Sequence, residues 1–241
     1  MSAPEKDAPL RSSFASFAKD DAYRVEVERS FDFLGLPHDF FVQAKGIALL
    51  DVVQRHLGNP KAFSFLDVGC GVGSMQRYVA PAARASVGID MSKESIATAR
   101  STYPSVEFHS YDGGVLPFTD STFDVVFAVN VMHHVPPAQW QAFSAELLRV
   151  VQPGGIVCVF EHNPYNPLTR LAVFRCEFDA DAVLLSNAKL TALLLQAGGE
   201  KVESRYILFF PFATRLTRTI ENTLRSFPMG AQHYTAVRKG K

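Results

Sequence analysis

Phe63-Ser64-Phe65-Leu66-Asp67-Val68-Gly69-Cys70-Gly71-Val72-Gly73 is the stretch on which the fold turns. The run from Phe63 to Val68 is short, mostly apolar and bounded by turn residues, the pattern of a strand buried in a parallel sheet. Glycines at three alternate positions then let the backbone take positive φ and approach a ligand closely. The strand is therefore expected to enter a loop that holds a nucleotide-like group, followed by a helix near Ser74–Ala83. The spacing differs from the G-x-G-x-x-G fingerprint of dinucleotide sites, so a nicotinamide cofactor fits it poorly.

Outward from the loop, a second strand is predicted over Ala85 to Ile89, ending at Asp90. A carboxylate at that strand end can accept both ribose hydroxyls of a nucleoside through charge-assisted bonds. Ser92 has the position of a helix N-cap, with Glu94 in the first turn. A third strand, Val106 to His109, leads to Tyr111-Asp112-Gly113, and a fourth, Asp124 to Val129, ends in Asn130-Val131-Met132-His133-His134. Pro153-Gly154-Gly155 turns the chain into a fifth strand, Ile156 to Glu161. Further strands are expected over Lys201–Phe209 and Gln232–Val237, preceded by a helix that is capped by Ser186, striped by Leu190, Leu193, Leu194 and Ala197, and stopped by Gly198-Gly199.

Asp67-x-Gly69-x-Gly71-x-Gly73, Gly88-Ile89-Asp90, Tyr111-Asp112-Gly113, Phe123-Asp124-Val125-Val126 and Pro153-Gly154-Gly155 occur in this order. Together they resemble the motifs of class I S-adenosylmethionine-dependent methyltransferases of the small-molecule type. The resemblance implies a doubly wound α/β fold with a mostly parallel seven-stranded sheet, and S-adenosylmethionine as methyl donor with S-adenosylhomocysteine as product. It places Asp67, Gly69, Cys70 and Gly71 in the cofactor loop and Asp90 on the ribose. Asp112 and the backbone of Gly113 would meet the adenine edge, Met91 its face, and Asn130 and Val131 the methionyl part. For Met91 simple packing is the alternative, and for Asp112-Gly113 an ordinary turn. Two other readings stay open: a non-catalytic S-adenosylmethionine-binding module, and a nicotinamide oxidoreductase.

The acceptor side is less explicit. An alcohol or phenol acceptor gains from a base that takes its proton. His162, just past the fifth strand, and His134, at the entry to the next helix, are the candidates, each with a turn role as the alternative. The adjacent His133 and His134 have no acidic partner at ligand spacing, so no metal site is expected. Asn163-Pro164-Tyr165 is similar to the N-P-P-Y motif of amino-group methyltransferases, but lacks a proline and follows the wrong strand. Residues 163–185 exceed a normal connection and carry Leu168, Leu171 and Phe174 at helical spacing, which suggests a lid over the substrate. Arg170 and Arg175 within it suit an anionic acceptor group, or salt bridges to Glu177, Asp179 or Asp181.

Upstream, residues 1–13 read as a flexible tail and 14–58 as a helical cap. Its clearest part is an amphipathic stripe of Phe40, Ala44, Ile47, Leu50, Val53 and Leu57, ended by Gly58-Asn59-Pro60. The remainder, 60–241, forms the cofactor domain, with insertions near 163–185 and 210–230. The chain has 241 residues, 47% of them apolar, and equal numbers of basic and acidic side chains, 24 each. No overall charge or basic aromatic module points to nucleic acid or an anionic membrane; the segment from Arg205 onward is basic, which suits an anionic small molecule, with a solvated basic face as the commoner alternative. Three cysteines without a C-x-x-C pair, no signal-peptide core and no apolar run of spanning length predict a cytoplasmic protein.

Overall fold

The computed structural model describes residues 37–210, 220–221 and 223–240. The expected tail and most of the expected cap, 14–36, lie outside these residues, as does part of the 210–230 insertion. The seven strands are β1 (Ser64–Val68), β2 (Ala85–Asp90), β3 (Glu107–Ser110), β4 (Phe123–Val129), β5 (Val151–His162), β6 (Gly199–Ile207) and β7 (Gln232–Lys239). They form one sheet in the order β3-β2-β1-β4-β5-β7-β6. The first five pair in parallel, while β7 runs antiparallel between β5 and β6.

Strand interiors are apolar on both faces because both are covered. Leu66, Val68, Val126, Ala128, Val157 and Val159 pack on one side. Phe65, Val125, Phe127, Ile156, Cys158 and Phe160 alternate with them onto the other. The first face is covered by helices α4 (Trp140–Val150) and α6 (Asn187–Gln196) through Leu147, Leu148, Leu190 and Leu194. The second is covered by α1 (His38–His56) through Val42, Leu49, Val52 and Val53, together with Val79 of the short α2 (Gln76–Val79). Helix α3 (Lys93–Thr102) carries the expected cap, Ser92 Oγ accepting from Ser95 N at 3.1 Å. Ser186 caps α6 in the same way, accepting from Lys189 N at 3.2 Å.

Several elements depart from the sequence expectation. The buried face of α1 is Phe41, Val42, Lys45, Gly46, Leu49, Val52 and Val53, and Ile47 of the predicted stripe is 42% exposed. Apolar residues occupy neighbouring faces of this helix, so contact with the sheet selects the stripe. The helix expected over Ser74–Ala83 is a turn, a single α-turn from Gln76 and a 3-10 turn over Ala80–Ala82. Pro81 lacks the N–H that an uninterrupted ladder needs there. Strand β5 starts earlier than Ile156: Val151 already pairs with Phe123, and a register shift carries Pro153-Gly154-Gly155 as an irregularity within the strand. After β5, α5 (Pro167–Arg175) forms as the spacing predicted, capped by Asn166 Oδ1 accepting from Thr169 N at 2.9 Å. It buries Thr169, Ala172 and Val173, whereas Leu168, Leu171 and Phe174 face outward.

Candidate active site

The sheet order reverses between β1 and β4, and strand ends at such a switch point border a crevice. Its floor is the glycine loop after β1. Gly69 and Gly73 have φ near +75° and +80°, a region that favours glycine, and a Cβ on Gly69 would lie 2.4 Å from a Val131 methyl. A Cβ on Gly71 would meet nothing within 4 Å, so the loop presents bare backbone to open space at that point.

The loop's amides are largely turned inward. Gly69 and Cys70 donate to Ile89 O at 2.8 and 3.0 Å, and Gly73 donates to Cys70 O. Gly71 N donates to Asp90 Oδ2 at 2.8 Å, while Asp90 Oδ1 accepts from Ser92 N at 2.8 Å. These committed donors, the carboxylate beside them and the four-residue α2 make a poor seat for a pyrophosphate, which needs unpaired N–H groups at a helix start. The nicotinamide alternative loses its physical basis. A neutral nucleoside with a cationic tail suits the same surface, because each Asp90 oxygen keeps a lone pair for a hydroxyl.

Other expected cofactor residues divide by position. Met91 is 43% exposed and its terminal atoms lie just over Gly113, where a Cβ would come within 3.1 Å of Met91 Cε. Asp112 is exposed beside it. Asn130 adopts φ +55° at the end of β4, and its buried Oδ1 has no hydrogen-bond partner among the described residues. An orphan acceptor and a left-handed residue at the crevice are the marks of a ligand-facing position. Asp67 and Cys70 point elsewhere. Asp67 is 1% exposed and accepts from Gln76 Nε2 at 2.9 Å, while Gln76 Oε1 accepts from Ser86 Oγ. That chain ties the loop to β1 and β2; burial pushes the Asp67 carboxyl up to about 7, with Gln76 opposing. The Cys70 side chain packs with Ile96, Val106 and Phe108 beneath the loop.

Beyond Val131 the structure brings together a cluster that crosses four elements. His133 Nδ1 donates to Glu161 Oε2 at 2.5 Å, and the other Glu161 oxygen accepts from Met132 N at 2.7 Å. Both His133 and Glu161 are almost fully buried. His133 Nε2 lies 3.4 Å from Asp179 Oδ1, within ion-pair range but without an aligned hydrogen bond. His134 Nε2 is 3.4 Å from the same oxygen. The 132–134 turn that carries the histidines is pinned by Trp140, whose Nε1 donates to Met132 O at 2.9 Å and Val135 O at 2.8 Å. The His162 ring stacks obliquely 5.2 Å from that of His133.

Burial opposes the charge on His133, but Glu161 and Asp179 outweigh it and hold this imidazole up near 10. Burial would raise Glu161 also, and the His133 charge brings it below the usual value. Burial and the neighbouring His133 charge depress His134 to about 4 and His162 to about 3. Lys45, buried on α1, falls to about 8 through burial, with Glu161 opposing.

His162 and His134 thus reach the same cluster, unequally. His162 is 6% exposed and lies against the Gln232 side chain at 3.4 Å. His134, with 21% of its side chain exposed, is the more accessible. Arg170 and Arg175 stand exposed on α5, and Asp179, one of their proposed salt-bridge partners, faces the histidines instead. The expectation that His133 and His134 lack an acid rested on residues near in sequence; Asp179 arrives from the 163–185 insertion. Lys45, Glu161 and Asp179 had no motif to mark them, although Glu161, a charge ending an apolar strand, was a visible irregularity.

Sheet order, glycine loop and strand-end carboxylate together define a class I, Rossmann-like methyltransferase fold, as the motifs implied. Residues 65–155 match the model of a family described as a methyltransferase domain. The chain is 34% identical over 137 residues to an uncharacterized methyltransferase of Synechocystis, 55% of this chain against 65% of that one. It is 38% identical over 108 residues to the 2-methyl-6-phytyl-1,4-hydroquinone methyltransferase of Synechocystis, 43% of this chain against 33% of that one. The chain therefore spans less than two thirds of either relative. A Thermotoga maritima structure described as a SAM-dependent methyltransferase, possible histamine N-methyltransferase, shares the fold. Its TM-score is 0.67 at 19% identity, over 95% of this chain and 99% of that chain.

Among the described residues no helix is long and apolar enough to cross a membrane.

Proposed function

We propose that the chain is an S-adenosylmethionine-dependent methyltransferase whose acceptor is a small molecule carrying an ionisable hydroxyl, of the phenol or hydroquinone type. The observation that carries this is the shared wall between two half-sites. Val131 touches the glycine loop, and the residues after it, Met132 to His134, bear the histidine–carboxylate cluster. A donor on the loop and an acceptor at the cluster would be neighbours, as in-line transfer requires.

The donor supplies a methyl carbon on a sulfonium, already electrophilic. Asp90 would accept from the ribose hydroxyls, Asp112 and Gly113 would read the adenine edge, and Asn130 Oδ1 would take a donor of the methionyl part. Asp67 and Cys70 support the loop from beneath. On the acceptor side, withdrawing the hydroxyl proton turns a phenol into a nucleophile at oxygen or at a ring carbon, so one cluster serves either outcome. His134 and Asp179 are the members placed to accept a hydrogen bond from that hydroxyl, His134 as the uncharged imidazole its depressed value implies, with Glu161 fixing the His133 ring behind them. The hydroquinone named for one relative is chemistry of this kind.

The test is S-adenosylhomocysteine release from S-adenosylmethionine across a panel of phenols and hydroquinones, comparing wild type with His134→Ala. Wild-type turnover on a hydroxyl acceptor, reduced roughly 100-fold or more in the variant at unchanged donor affinity, is expected. Turnover in the variant equal to wild type would remove the cluster from the reaction.

A further inference from the structure

We propose that His133, His134 and Asp179 bind one divalent transition-metal ion, with Glu161 as the outer carboxylate that orients His133. The three side chains come from two distant segments and offer three ligand atoms within 4.8 Å of one another. Asp179 Oδ1 lies 3.4 Å from His133 Nε2 and 3.4 Å from His134 Nε2. Bonds of about 2.0–2.2 Å to an ion place neighbouring tetrahedral ligands about 3.3–3.6 Å apart, so both contacts already have the length of a coordination edge.

The polarity of His133 agrees. Its Nδ1–H is given to Glu161 Oε2, so Nε2 is the nitrogen left to an ion, which would displace the proton that His133 carries there in its charged form. That carboxylate–histidine arrangement is the common outer support of metal-bound imidazoles. His133 is 1% exposed, yet its Nε2 makes no hydrogen bond among the described residues, and it faces the shared Asp179 oxygen. A buried nitrogen without an aligned hydrogen bond is costly unless something completes it. Two imidazoles and one carboxylate select first-row ions such as Zn²⁺, Fe²⁺ or Ni²⁺ over Mg²⁺ or Ca²⁺. Three protein ligands leave a position for a hydroxyl oxygen, whose proton an ion of this class labilises. The inference rests on the proposed function only for that last consequence: His134 and Asp179 would then act on the acceptor through the ion.

Protein dialysed against a chelator and then titrated with Zn²⁺, and separately with Co²⁺ as a visible-absorption probe, tests it. One ion per chain is expected, with cobalt ligand-field bands. His134→Ala and Asp179→Asn, shown folded by circular dichroism, should bind at least about 100-fold more weakly. Glu161→Gln should lose roughly 10–100-fold. His109→Ala removes an exposed histidine paired with Glu107 on β3 and should keep wild-type stoichiometry. Absence of one-to-one binding in the wild type, or wild-type affinity in folded His134→Ala and Asp179→Asn, overturns the proposal. Titration of S-adenosylmethionine into the same preparation separates the two readings. Ion binding without donor binding sinks the proposed function alone, and donor binding without ion binding sinks the metal site alone.

Discussion

Two glycines of one loop do different jobs, and single substitutions separate them. At Gly69 the left-handed backbone costs an L-residue about 1–2 kcal/mol, and a Cβ 2.4 Å from Val131 adds a clash of about 1–3 kcal/mol. Gly69→Ala is expected to destabilise the fold by about 3 kcal/mol in urea denaturation. At Gly71, φ is +52° but the space beyond is open, so Gly71→Ala should cost about 1 kcal/mol of stability and show its effect mainly as lost donor affinity. A folded Gly71→Ala protein with undiminished affinity for S-adenosylmethionine would show that nothing approaches the loop there. Local chemistry made this half of the site legible. The glycines, Asp90 and Asp112-Gly113 each sit at a strand end that their own neighbours define. His133, Glu161, Asp179 and Lys45 were not legible, because what makes them a cluster is tertiary: a turn, a strand end, an insertion and a helix that only the folded sheet brings together.

Between elements, the junction of α1 with the antiparallel edge of the sheet is held by one carboxylate. Glu203 on β6 accepts from Arg55 of α1, with Arg55 Nη2 at 2.8 Å from Oε1, and from Tyr234 Oη of β7 at 2.6 Å. Arg205 Nη2 lies 3.0 Å from Oε2. Burial opposes ionisation, but Arg55, Tyr234 and Arg205 more than compensate and bring Glu203 to about 2 from an ordinary 4.5. A folded-state value below the unfolded one stabilises above the unfolded value and is lost as pH falls through the folded one. Wild type should therefore exceed Glu203→Gln by about 2–3 kcal/mol near pH 7, and the gap should close between pH 4.5 and 2. Chemical denaturation at several pH values checks it, and a gap independent of pH would refute the assignment. Patterning foretold the elements on either side of this junction better than the junction itself. Alternating apolar runs and the Ser92 and Ser186 caps located strands and helices. The wrong stripe on α1 shows that a helix apolar on several faces takes its orientation from what it packs against, here the Phe65–Phe127–Phe160 face of the sheet.

At the scale of the molecule, parallel strands from β3 to β5 direct their C-terminal ends to one edge, and the switch between β1 and β4 opens that edge. The glycine loop and Asp90 occupy one side of the opening and the histidine–carboxylate cluster the other, with Val131 between them. The insertion after β5 completes the second side by delivering Asp179. The first side would hold S-adenosylmethionine through Asp90, as proposed above. Calorimetric titration of S-adenosylmethionine into wild type and into folded Asp90→Ala tests it most directly. One donor molecule per chain is expected in wild type, and a loss of about 3 kcal/mol, roughly 100-fold in affinity, in the variant, since two hydroxyls lose a charged acceptor. No binding by the wild type, or equal affinity in the two proteins, would contradict it.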